Sequence, residues 1–107
     1  RRQSEITDVK NMKKAFMTGD IVESTAGHDH GKYLIILGVN EGRIVVADGD
    51  TRTVAKKKEK NPAHLRFAGK SDEGVLLKIR EGRVEDHEIR KQIKKFKKSI
   101  GGIDVEE

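Results

Sequence analysis

The sequence predicts a mainly β fold: a small barrel of short strands followed by a C-terminal α-helical extension. Three observations predict it. Short β-branched runs recur between residues 20 and 68, separated by Gly- and Asp-containing turns. Those turns are closely spaced, which favours closing a small sheet over building a large open one and removes edges that template aggregation. Beyond Phe67 the apolar spacing changes to the helical period, with Ile89, Ile93, Phe96 and Ile100 on one stripe.

Taken in order, residues 1–17 form a leader. Ile6, Val9 and Met12 to Phe16 carry a weak helical spacing with Thr7 or Asp8 available as N-cap, which fits either a short helix or a disordered segment. Residues 18–70 carry the strands. Gly19-Asp20 turns the chain into a strand over 20–24, built on Ile21-Val22. Lys32 to Leu37 is an apolar run bounded by Gly38 and short enough for a buried strand, expected over 32–39. Asn40-Glu41-Gly42 is a hairpin signal leading into a strand over 43–47, and Asp48-Gly49-Asp50 is a second turn. Two further strands are expected, over 53–55 and 65–68. Between them lie the run Lys56-Lys57-Lys58-Glu59-Lys60 and a turn at Asn61-Pro62, where proline has no N–H for a ladder.

Residues 71–100 are the helical extension. Ser71 offers a cap, Asp72 and Glu73 suit a first turn, and Val75, Leu76 and Ile79 share a face ahead of Gly82 at C′. A strand over 75–79 is the competing reading, because Gly74 falls in the first turn. Residues 86–99 form the plainest helix. Asp86 is placed to cap it, Glu88 favours the first turn, and Lys94, Lys95, Lys97 and Lys98 suit the C-terminal end of the macrodipole. Gly101-Gly102 stops it, and 101–107 reads as a flexible tail.

At 107 residues the chain forms one domain with a single modest core, since hydrophobic residues are 34% and charged residues 38%. There is no cysteine, which excludes disulfides and thiolate zinc sites and fits a cytoplasmic protein. No apolar run approaches the ~20 residues that span a bilayer, so no membrane partner is expected. The net charge of +5 is unevenly spread: residues 1–50 hold 7 Lys/Arg against 8 Asp/Glu, and residues 51–107 hold 16 against 10. That asymmetry favours a polyanionic partner, nucleic acid first.

No catalytic arrangement is defensible. The Gly27-to-Lys32 segment has three residues between its glycines where a P-loop has four, and Tyr33 stands where Ser or Thr is required. The acids lie in charged segments, with no apolar setting to tune a general acid. His28 and His30 flank Asp29 without a further ligand cluster, short of the three protein ligands a catalytic zinc uses. The expectation is therefore a non-enzyme with no cofactor or metal.

The stretch from Gly19 to Val39 resembles a KOW motif: a strand, a polar loop with a fixed glycine, and a second strand beginning after Gly-Lys. Gly31 stands where the family's glycine stands, and Lys32 matches the basic residue after it. Arg43-Ile44-Val45-Val46-Ala47-Asp48-Gly49, Thr51-Arg52-Thr53-Val54, the basic run and Asn61-Pro62-Ala63-His64-Leu65-Arg66 are similar to the continuation in ribosomal large-subunit KOW proteins and their bacterial KOW-domain relatives. The resemblance covers about residues 18–68. It implies an SH3-like β-barrel and RNA binding, with ribosomal RNA the first partner and ribosomal proteins or polymerase as others. A protein-interaction module of the transcription or translation machinery is the alternative it allows. A monomer is expected.

The candidate RNA-binding residues follow from both readings. Gly27, His28, His30, Gly31 and Lys32 form a loop whose amides and lysine can meet a phosphate backbone. Lys56, Lys57, Lys58 and Lys60 are the densest cationic run, flanked by Arg52, His64 and Arg66. The arginines are the stronger anchors because guanidinium pairs bidentately with phosphate. Arg90, Lys91, Lys94, Lys95 and Lys98, with Lys97, give the last helix a basic face. That face can meet RNA, an anionic membrane or a partner's groove, or simply face solvent. Tyr33 and Phe67 are either core or stacking surfaces.

Overall fold

The computed structural model describes residues 16–100. The expected N-terminal leader (but for Phe16 and Met17) and the expected tail lie outside the described residues. Five strands form one antiparallel sheet: β1 (Asp20–Ser24), β2 (Tyr33–Asn40), β3 (Arg43–Ala47), β4 (Lys58–Lys60) and β5 (Leu65–Lys70). Their order across the sheet is β4-β3-β2-β1-β5, so the chain meanders outward from β1 and then returns to pair β5 with β1. Two helices follow, α1 (Glu73–Arg80) and α2 (Asp86–Ile100).

The sheet buries both faces, which explains why β2 reads as a continuous apolar run instead of alternating. Alternate residues serve two clusters. Ile21, Ile35 and Ala47, aligned by the register Ile21↔Ile35↔Ala47, pack under Ile79, Val84, Ile89 and Ile93 from the helical region. Val22, Leu34, Ile36, Ile44, Val46 and Leu65 fill the opposite face, with Phe16 against them. Register shifts at Ile21/Val22 and at Ile36/Gly38 bend the sheet where it wraps this second cluster.

Several expectations need correction. The expected closure is not made by hydrogen bonds, because β4 and β5, the two ends of the sheet, do not pair. β4 is only three residues long, and a 3-10 turn at Pro62–His64, capped by the Asn61 side chain, separates it from β5. Residues 53–55 are a turn and not a strand. The Lys56 amide closes back on the Thr53 carbonyl at 3.0 Å, and the Val54 amide donates to Asp86 Oδ1 at 2.7 Å. Those donors are spent, so the ladder resumes only at Lys58.

Residues 73–80 are helical, which removes the strand reading of 75–79. Neither predicted side-chain cap forms. Asp72, not Ser71, is the N-cap residue of α1 and makes no side-chain cap. Asp86 reaches across to Val54, and the start of α2 is instead tied by Glu88, whose Oε1 accepts the Glu85 amide at 2.9 Å. Within the α2 stripe Ile89 and Ile93 are buried and Phe96 is partly buried, but Ile100 is 58% exposed and outside the cluster that those three join.

Candidate nucleic-acid interface

Three connections meet at one end of the sheet: the β1–β2 loop, the β3–β4 loop and the β4–β5 turn. The first is folded on itself. His30, Gly31 and Lys32 donate their amides to the carbonyls of Gly27, Ser24 and Asp29 at 3.1, 2.8 and 2.8 Å. These amides are therefore committed, and the loop contributes a fixed shape more than free donors. A 3-10 turn over Gly27–Asp29 leaves His28 and His30 exposed and turns Asp29 inward, 3% exposed.

Asp29 gathers the other two connections. Arg52 places Nε and Nη2 each 3.3 Å from Asp29 Oδ2, and Lys60 Nζ lies 3.8 Å from the same oxygen. Arg52 is itself positioned by Asp48, whose Oδ1 accepts the amides of Asp50 and Arg52, both at 2.8 Å. This is an Asx-type turn. The Thr25 amide donates to the His64 carbonyl at 2.9 Å, which fastens the β4–β5 turn beside the loop. Lys32 Nζ reaches Thr51 Oγ1 at 3.4 Å.

The candidate residues therefore divide. Gly27, His28, His30, Gly31, Lys32, Arg52, Lys60 and His64 are brought together. Lys60 is buried on Asp29, and Arg52 is mostly committed to it; both organise the end of the sheet. Lys32, Lys56, Lys57 and Lys58 are exposed, and among the described residues none has a carboxylate within salt-bridge distance. Arg66 is exposed and pairs with Glu23 at 2.7 Å. That hydrogen bond and the Glu23 charge hold its guanidinium still more firmly protonated.

On α2, Lys95 pairs with Asp72 at 2.7 Å, while Lys91, Lys94 and Lys98 are exposed. Arg90 is exposed too, but its Nη1 donates to the Gly49 carbonyl at 2.6 Å. That approach requires glycine: with φ +80°, a Cβ at position 49 would lie 2.5 Å from the Asp86 carbonyl oxygen. Tyr33 is partly buried with Phe96 edge-on at 5.3 Å, and Lys97 Nζ sits 6.0 Å from the Tyr33 ring centre.

Sequence reasoning missed two features here. Asp29 reads in the sequence only as the middle of a His-x-His segment; a lone acid between two histidines in a glycine-bracketed loop is the signal that points to it. The placement of Lys97 over Tyr33 has no local signal, since it depends on how α2 crosses the sheet. Among the described residues there is no group of three or more His, Cys, Asp or Glu able to hold a metal, and no helix is long and apolar enough to cross a membrane. Compared with known proteins, the chain matches no family model and no curated protein in sequence.

Proposed function

We propose that this chain is a non-catalytic RNA-binding protein built on an SH3-like barrel of the KOW type, with ribosomal or other structured RNA as its ligand. The observation that carries the reading is the meeting of three connections at one end of the sheet, where Lys32, Lys56, Lys57 and Lys58 are exposed with no carboxylate partner among the described residues. The barrel is supported by the return of β5 to β1, by the two register shifts that curl the sheet, and by the apolar cluster it wraps. Exposed lysines supply affinity through phosphate contacts and counterion release. The Gly27–Gly31 loop, held rigid by its own hydrogen bonds, supplies shape, which is how structured RNA is largely read. Arg66 joins by exchanging Glu23 for a phosphate.

The test is binding to ribosomal RNA and to a hairpin control RNA over a salt series, with Lys56→Ala/Lys57→Ala/Lys58→Ala beside the unaltered protein. Each lost phosphate contact removes roughly 0.7–0.9 from the slope of log K against log salt, so the triple variant is expected to lower it by about 2.1–2.7. Absence of binding to either RNA at low salt would refute the proposal. It would favour the protein-interaction reading, for which the observation is Phe67, 50% exposed on the outer strand β5.

A further inference from the structure

We infer that α2 belongs to the same RNA interface through one flank only: Lys94 and Lys97, and not Lys91 and Lys95, meet the phosphates of a helical RNA backbone. This rests on the RNA-binding reading above and extends it to a second element.

The helix is fixed to the end of the sheet that carries the loops. Arg90 is held on the Gly49 carbonyl, the Val54 amide on Asp86, and Phe96 lies against Tyr33 and Gly69. Arg90, Lys94 and Lys97 are spaced by four and three residues and so share one side of α2. Arg90 is spent on Gly49, which leaves Lys94 and Lys97 as that side's available charges. Lys97 lies over Tyr33; Tyr33 follows Lys32; and Lys32 reaches Thr51 in the β3–β4 loop. These contacts join Lys97 to Lys32 and to the β3–β4 loop at Thr51.

The other flank is partly neutralised. Lys95 pairs with Asp72 and Lys78 with Glu88, and Lys91 and Lys98 border the groove that Asp72, His87 and Glu88 line. Lys94 lines that groove too, on the side of α2 that it shares with Arg90 and Lys97.

The ligand class follows from the aromatics. Tyr33 has Phe96 at its side and Lys97 over its ring, and Phe67, the one aromatic beyond half-burial among the described residues, carries Lys70 at 5.8 Å. No open row of stacking platforms exists there for splayed bases, so recognition runs through the backbone of a helix.

The experiment compares Lys94→Gln/Lys97→Gln with Lys91→Gln/Lys95→Gln, an equal change in charge, against a blunt RNA duplex and its isolated strand over a salt series. Lys97→Arg is a charge-conserving control, and thermal melts verify folding. The first variant is expected to lower the salt slope for the duplex by about 1.4–1.8 and to weaken binding about tenfold or more at 0.1 M salt. The second is expected to change either quantity by less than half as much, and Lys97→Arg to keep the slope. Equal losses in both doubles would overturn the flank assignment, as would no loss in the first. Tighter binding of the isolated strand than of the duplex would overturn the ligand class. If neither helix variant matters while Lys56→Ala/Lys57→Ala/Lys58→Ala still weakens binding, this inference fails and the RNA reading stands. Absence of RNA binding by the unaltered protein overturns both.

Discussion

Asp29 sits buried between two exposed histidines, with three nitrogens from Arg52 and Lys60 gathered on one of its oxygens. A buried pair of this kind adds little over an apolar substitute, but breaking it strands a buried charge. Lys60, whose side chain is 9% exposed, is the group that would be stranded. Asp29→Ala is therefore expected to cost about 3 kcal/mol in denaturant unfolding. The same change raises the net positive charge by one. Charge alone then predicts tighter RNA binding, whereas loss of the seat for the β1–β2 loop predicts weaker binding at a nearly unchanged salt slope. Under the proposed function the second outcome is expected; tighter binding by the variant would show that overall charge outweighs loop placement.

Among the elements, α1 and α2 are joined through Glu88, whose carboxylate takes the Lys78 ammonium and the Glu85 amide. The Lys78 hydrogen bond, then the Glu85 amide, hold its pKa below the ordinary carboxylate range. A lowered folded-state pKa contributes stability above the ordinary range, and that stability is lost as pH falls through the lowered value. Melting temperature should thus fall more steeply below about pH 4 for the unaltered protein than for Glu88→Gln; parallel curves would show that the joint contributes nothing. Elements with their own periodicity were legible in the sequence: β1, β2, β3, β5 and both helices fall within two or three residues of expectation. β4 was not. Thr53 and Val54 have strand-forming side chains, but their surroundings are set by Asp86, 32 residues beyond Val54, which takes the amide a ladder would need. The site followed the same rule. Exposed lysines could be picked out as a run, whereas the inward turn of Lys60 depended on where Asp29 lands. Ile100 fits the helical stripe but stays exposed, which the periodicity alone does not reveal.

At the scale of the whole molecule, charge and connectivity are both uneven. Among the described residues, the lysines with no carboxylate in salt-bridge distance are Lys32, Lys56, Lys57 and Lys58 at one end of the sheet and Lys91, Lys94, Lys97 and Lys98 on α2, while Arg43 on β3 and Arg80 on α1 also lack one. Connectivity separates early contacts from late ones. β1, β2 and β3 pair through nearby sequence, whereas Asp20↔Lys70 joins residues 50 apart, and closing that span carries a larger entropic cost. Strand β5 is expected to dock after the rate-limiting step. Leu65→Ala, at a position 7% exposed and opposite Ser24, should cost about 2 kcal/mol and speed unfolding roughly 30-fold, with the refolding rate little changed in stopped-flow measurements. A refolding rate reduced by the full stability loss would place β5 in the nucleus instead. The returning strand also has a consequence for synthesis. At about 5–20 residues per second, the ribosome takes roughly 2–6 s to make the stretch from Asn40 to Lys70. Through that interval the nascent meander carries the Ile21-Val22 edge unpaired, open to any other strand within reach until its own partner emerges.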